Sequence, residues 1–320
     1  MTTEAAVPRA QPDAGAVPAE EEALSAASPV GSVTATVETI AARDGAPLAA
    51  TLYRAEGVAP RRVIVVACAM AVRRAFYEAY ARFMASQGFA VITFDYRGIA
   101  GSLVGKIADS RATLHDWGNL DYPAVLDFAR AQFPGVKIGI VGHSIGGQLV
   151  GMLQDFEQID TVCTVAAQHG YWRRYPTKQA LKFLWLWYVL FPALLLVLRY
   201  FPSQRLKFGE DLPRGVARQW GRSCKSPHYL VDDAGKPIRR GFEAFGGHVR
   251  AYYMTDDKIA PHDQVAAFHA YYVHPTVTVE ITKVDPAVYQ KRSIGHIGFF
   301  APKLKKTLWR EHADWWLSRS

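Results

Sequence analysis

Four apolar runs, over 62–69 (RVIVVACA), 90–95 (AVITFD), 137–141 (KIGIV) and 161–167 (TVCTVAA), are separated by segments with helical spacing. Continuous apolar runs of this length suit strands buried on both faces, and strands that alternate with helices pair in parallel. The intervening helices fall over 76–87 (apolar at Phe76, Tyr80, Phe83 and Met84, closed by Gly88), 116–133 and 145–156. Ahead of them, 33–40 (VTATVETI) and 47–54 (PLAATLYR) alternate apolar with polar residues around Arg43-Asp44-Gly45, which predicts a hairpin. The pattern breaks at Gln168 and resumes at 248–254 (HVRAYYM), with a strand over 276–281 and an amphipathic helix over 303–317. The chain reads as an α/β domain formed by 33–168 and 246–320, with 169–245 inserted.

A chain of 320 residues, half of them hydrophobic and 21% charged, has enough apolar side chains for such a core. Cys68, Cys163 and Cys224 are too scattered for a disulfide framework, a zinc site or a C-x-x-C redox motif. They read as buried thiols in a reducing compartment, so a cytoplasmic protein is expected. Residues 1–32 are rich in Ala, Glu, Pro, Ser and Gly without a signal-peptide pattern, and read as a disordered tail. That tail holds five acids against Arg9, a charge of −4, so the remainder of a chain of net charge +8 carries +12. The basic balance has no nucleic-acid motif beside it, and no nucleic-acid partner is expected.

Inside the insertion, 183–198 (FLWLWYVLFPALLLVL) runs sixteen residues without a charge. This lies between a buried helix and a membrane span in length. Pro192 divides it, which predicts two short helices forming a cap, with transient contact to a membrane surface as a further expectation.

Chemistry concentrates at Gly142-His143-Ser144-Ile145-Gly146, which fits G-x-S-x-G between an apolar strand and a helix. A serine on so sharp a turn needs small neighbours, because side chains on the flanking glycines would strike the adjoining strand and helix. A serine hydroxyl also needs a base, and His296 lies in a loop of small residues after the last strand and before the last helix. The base needs an acid to orient it. Asp256 and Asp257 both follow the strand 248–254, and the spacing to Pro261 favours Asp257, leaving Asp256 to cap the turn. His143 occupies the variable position of the serine turn, His115 precedes the serine, His312 falls on the terminal helix, and His262, His269 and His274 fall where a surface helix is expected. Asp95, at another strand end, is expected to brace the loop that follows it. No metal or cofactor site is expected.

These segments resemble the α/β-hydrolase superfamily, and most closely its serine aminopeptidase-like, lysophospholipase-like branch. The resemblance rests on Phe94-Asp95-Tyr96-Arg97-Gly98-Ile99-Ala100-Gly101-Ser102, on 142–147, on Asp256-Asp257 and on Gly295-His296, with Gly209-Glu210-Asp211-Leu212-Pro213 similar to the cap of that branch. It implies an α/β-hydrolase fold and a Ser144, His296, Asp257 triad forming an acyl-enzyme. Relatives commonly carry His-Gly after the third strand, where this chain has Ala67-Cys68-Ala69-Met70-Ala71-Val72. Backbone N–H groups need no particular side chain, so the oxyanion donors are expected from Ile145 with Met70 or Ala71. The aromatic cap (Trp185, Trp187, Tyr188, Phe191) suggests a small hydrophobic ester, and its cations suggest a lipid headgroup or acidic product. An aminopeptidase using Glu210, Asp211 or Glu243, an acyltransferase, and a silent binding module for a hydrophobic ligand are the alternatives. Nothing in the sequence sets the oligomeric state.

Overall fold

The computed structural model describes residues 31–319; the tail expected over 1–32 lies outside it but for its last two residues. Among the described residues ten strands form in chain order: β1 (Val33–Ala41), β2 (Pro47–Ala55), β3 (Val63–Ala67), β4 (Ala90–Phe94), β5 (Ile138–His143), β6 (Ile159–Val165), β7 (Tyr200–Phe201), β8 (Leu212–Pro213), β9 (His248–Met254) and β10 (Thr278–Val284). Eight of them make one sheet in the order β1-β2-β4-β3-β5-β6-β9-β10. In this sheet the hairpin β1–β2 and the β2–β4 pair are antiparallel and the other pairings are parallel. This is the α/β-hydrolase fold. Parallel strands need helices on both faces, and accordingly every residue of β3, β4 and β5 is buried.

Helices differ from the sequence expectation where hydrogen-bond period changes. The helix expected over 116–133 begins at Leu114 under a Thr113/Asp116 capping box, passes a π turn at Trp117–Asp121 and continues through Tyr122–Gln132. The one expected over 145–156 closes early, as Ile145–Gln148 followed by a 3-10 turn to Met152. Near the C-terminus, a 3-10 turn at Pro302–Leu304 precedes helix Leu308–Leu317.

The clearest correction concerns the cap. Pro192 does not divide its apolar run: Thr177–Leu198 is one helix of 22 residues. A π turn at Leu186–Leu190, closed by the Phe191 N–H on the Leu186 carbonyl, resets the helix so that Pro192 falls in the first turn of the segment Phe191–Leu198. The wider π turn gives the proline ring room against the preceding carbonyls, so the helix continues although Pro192 donates no helical hydrogen bond. The cap continues through the β7–β8 ribbon and helix Arg214–Lys225. From Tyr229 the chain is back on the core: the Tyr229 hydroxyl donates to Gln148, and Phe242 packs so tightly on Gly151 that no side chain fits there.

Candidate active site

β5 delivers Ser144 at the carboxyl edge of the sheet, with φ 51° and ψ −114°, a region that side-chain-bearing residues occupy only when their surroundings impose it. The Ser144 N–H is bonded to the Val165 carbonyl at 2.8 Å, which ties the turn to β6. A Cβ on Gly146 would stand 2.2 Å from the Ala67 carbonyl oxygen, and one on Gly142 2.4 Å from the Gly147 Cα. Both contacts are with backbone, so the turn admits only glycine at either position.

Ser144, His296 and Asp257 come together from three separate loops. His296 Nε2 is 3.0 Å from Ser144 Oγ, and His296 Nδ1 is 2.7 Å from Asp257 Oδ2. Since a carboxylate only accepts, Nδ1 carries the proton and Nε2 is left to accept from the serine hydroxyl. Asp257 is buried, and its other oxygen accepts from the Ile259 N–H at 2.8 Å.

Asp256 does more than cap a turn. Its carboxylate accepts from Ser293 Oγ (2.6 Å), from the Ile294 N–H (3.0 Å) and from the Gly295 N–H (2.9 Å), so it holds the three residues that precede His296. Desolvation, the largest single influence, pushes its pKa up, but these hydrogen bonds together outweigh it and hold the carboxyl below its usual value. The adjacent acids thus divide the work: Asp257 contacts the imidazole and Asp256 fixes the loop that carries it.

His143 and Tyr77 form a second link, which the sequence left unassigned. The Ala69 N–H donates to the Tyr77 hydroxyl oxygen (2.9 Å), Tyr77 Oη is 2.8 Å from His143 Nδ1, and His143 Nε2 is 2.9 Å from the His296 carbonyl oxygen. The carbonyl can only accept, so Nε2 is protonated and Nδ1 accepts from Tyr77. Burial, then the neighbouring His296, lowers the His143 pKa to about 3, keeping it in this neutral tautomer. One buried chain of hydrogen bonds therefore joins the loop after β3, the serine turn and the backbone of His296. His269 is a correction: the helix His262–His269 is not wholly superficial, because His269 is buried between the Thr164 hydroxyl and the Val265 carbonyl, with its pKa lowered by burial to about 4. His312 is likewise buried under the sheet, between Tyr80 and Tyr252.

Asp95 braces the loop after β4 as expected, accepting from the Arg74 N–H (2.6 Å) and the Gly101 N–H (3.1 Å) while pairing with the Arg74 guanidinium. Ser144 and His296 open into a cavity of about 300 Å³, lined also by Met70, Ile145, Gln148, Trp220, Ile259 and Ile297. Lys207 and Phe208 from the cap complete its wall, and Lys207 is its one side chain of fixed charge. Met70 thus borders the same space as Ser144 and Ile145. Ala71, at φ 61°, turns its carbonyl to the cap, where it accepts from the Glu210 N–H at 2.7 Å. Of the cap acids, Glu210 bonds to Gln204 and Asp211 to the Gln204 backbone N–H, while Glu243 lies exposed on helix Arg240–Ala244; none of the three lines the cavity.

A hydroxyl on a strained strand-to-helix turn, faced by an imidazole in an α/β sheet, defines the α/β-fold serine hydrolases. The family model described as Serine aminopeptidase, S33 matches residues 58–222, which is 165 of 320 residues, and the chain belongs to that family. The matched stretch holds Ser144 and the cap helix and ends before Asp257 and His296. No curated protein matches the chain in sequence. Among solved structures, a hypothetical protein from Pseudomonas aeruginosa is similar at TM-score 0.61 and 17% identity, covering 91% of this chain and 95% of that one. An esterase from Exiguobacterium antarcticum is similar at TM-score 0.56 and 13% identity, covering 89% of this chain and 99% of its own. An esterase from Pyrococcus furiosus is similar at TM-score 0.53 and 15% identity, over 89% and 91%. At these identities the likeness is one of fold.

Proposed function

We propose that the protein hydrolyses carboxylic esters of small hydrophobic acyl substrates, with Ser144 as nucleophile, His296 as general base and then acid, and Asp257 as the acid that orients His296. The observation that carries this reading is the continuous Ser144–His296–Asp257 hydrogen-bond relay beside an apolar cavity. Ser144 Oγ attacks the ester carbonyl carbon while its proton passes to His296 Nε2, and the carbonyl π electrons move onto oxygen. The N–H groups of Ile145 and Met70 receive that oxyanion, since both residues border the cavity at Ser144. Collapse expels the alcohol, protonated by His296, and leaves an acyl-serine. Water, deprotonated by the same imidazole, attacks that ester, and release of the acid restores the hydroxyl.

Cavity chemistry favours esters over peptides with free amino termini. An ammonium group needs a carboxylate near the scissile bond, and the charged group found there is Lys207, which suits a headgroup or an acidic product instead. Hydrolysis of p-nitrophenyl esters of increasing chain length tests the reading. Activity should peak at a short-to-medium acyl chain, with aminoacyl anilides poorer; turnover of anilides above esters, or equal rates for Ser144→Ala, would overturn it.

A further inference from the structure

Helix Thr177–Leu198 leaves an apolar face uncovered. Trp187, Phe191 and Leu195, spaced by four, face inward and are buried, whereas Leu181, Trp185, Tyr188, Val189, Leu196 and Val197 recur at helical spacing on the opposite side and are more than half exposed, Leu196 and Val197 to three quarters. A helix apolar on both sides is ordinarily buried on both. The stripe continues into the following loop, where Leu206 and Phe208 are exposed.

The segment that carries this stripe is basic: residues 171–209 contain seven Lys and Arg and no Asp or Glu, and the acids that follow, Glu210 and Asp211, are taken up by bonds to Gln204. Lys178 and Lys182 stand at one end of the helix and Arg199, Arg205 and Lys207 beyond the other, all exposed. Two copies of the chain joined face to face would set these cations against each other, whereas an anionic bilayer surface complements them and accepts the apolar stripe between them.

At 1.5 Å per residue the helix is about 33 Å long, enough to cross a bilayer, but its surroundings oppose crossing. Near its N-terminus the Tyr175 hydroxyl bonds to the Ile259 carbonyl at 2.8 Å, and beyond its C-terminus the Glu210 N–H bonds to the Ala71 carbonyl at 2.7 Å. Both ends return to the same face of the core, so the helix lies along a surface. Those two anchors flank the active-site cavity: Ile259 lines it, and so do Lys207 and Phe208 from the loop after the helix. Phe208 stacks on Trp220, which packs edge-on against the inward Trp187.

We propose that the protein docks on anionic lipid bilayers through the exposed face of Thr177–Leu198, lying in the interfacial plane with the cavity mouth beside the lipid. The docking surface stands apart from the hydrolytic reading; only delivery of substrate from the bilayer rests on it. The test is flotation of the full chain, carrying Ser144→Ala, with phosphatidylcholine vesicles prepared with or without phosphatidylserine. Capture should be about tenfold or more stronger with phosphatidylserine and should weaken as salt is raised. Trp185→Glu combined with Leu196→Glu should remove capture by about tenfold or more, while the same pair in the chain with Ser144 intact leaves the circular dichroism and the turnover of a soluble short-chain ester as before. No capture by anionic vesicles, or equal capture of the paired variant, would overturn the proposal. So would a dimer, measured by light scattering, that the paired substitutions dissociate. Because binding is read without turnover, its failure and the failure of ester hydrolysis are separate results.

Discussion

Around Ser144, each loop is held by bonds to residues far away in sequence: Ser144 to Val165, His143 to the His296 carbonyl, Asp256 to three groups at 293–295. The cap helix is fastened differently, by polar bonds near its two ends and an inward aromatic row, with its other face open. Fixed geometry in one region and an uncovered apolar surface in the other are different requirements. An oxyanion site has to stay within a fraction of an ångström, whereas a docking face needs only area and sign of charge.

Five perturbations sharpen that contrast. The largest effect is expected from Asp257→Asn, which presents an amide to Nδ1 and destabilises the productive tautomer, lowering kcat for esters by about 10⁴-fold. Asp256→Asn, which keeps part of the loop's bonding, should cost far less, and steady-state kinetics of the two variants separates the roles. If the two lose activity equally, the division between them is wrong.

Acid should come next. His143, His269 and His312 have their pKa values lowered to about 3, 4 and 3, each first by burial, from an ordinary 6.5. Unfolding lets these rings take up protons below pH 6.5, so their contribution to stability is intact above 6.5 and falls as pH drops towards 3–4. Several kcal/mol should be lost across that window by order of magnitude, read as a falling melting temperature. A flat profile between pH 6.5 and 4.5 would contradict the neutral assignments.

Tyr77→Phe removes the hydroxyl that joins Ala69 to His143 and leaves the Ala69 N–H and His143 Nδ1 buried without partners. A stability loss of about 1–3 kcal/mol is expected. Because Tyr77 positions other groups and touches no reacting atom, its activity loss should fall on kcat, with KM little changed. Smallest of all, Leu196→Ser on the open face of the cap helix should alter stability by about 0.5 kcal/mol or less, measured by urea unfolding. A large destabilisation would mean that this face is covered after all.

The same division governs what was legible from sequence. The strands stood out because burial on both faces leaves unbroken apolar runs, and the serine turn because its two glycines are dictated by backbone contacts at 2.2 and 2.4 Å. Asp257 could be found just after the strand 248–254, and His296 in the loop of small residues between the last strand and the last helix. Tyr77, by contrast, looked like an ordinary residue at the start of a helix, since a bond from its hydroxyl to a histidine 66 residues on leaves no local pattern. Asp256 was hidden for the same reason, its partners lying 37–39 residues away. Pro192 misled because propensity describes an α turn, and a π turn ahead of it shifts the proline to a position where it is tolerated. A buried His269 was equally unreadable in a short helix of mixed pattern.

The central claim is that Ser144 is activated by His296. Labelling with a fluorophosphonate, followed by mass spectrometry of the modified peptide, tests it most directly. The account predicts one adduct, on Ser144, that is absent from Ser144→Ala and slowed by orders of magnitude in His296→Ala. A folded wild-type protein that takes no label, or that labels as fast without His296, would contradict it.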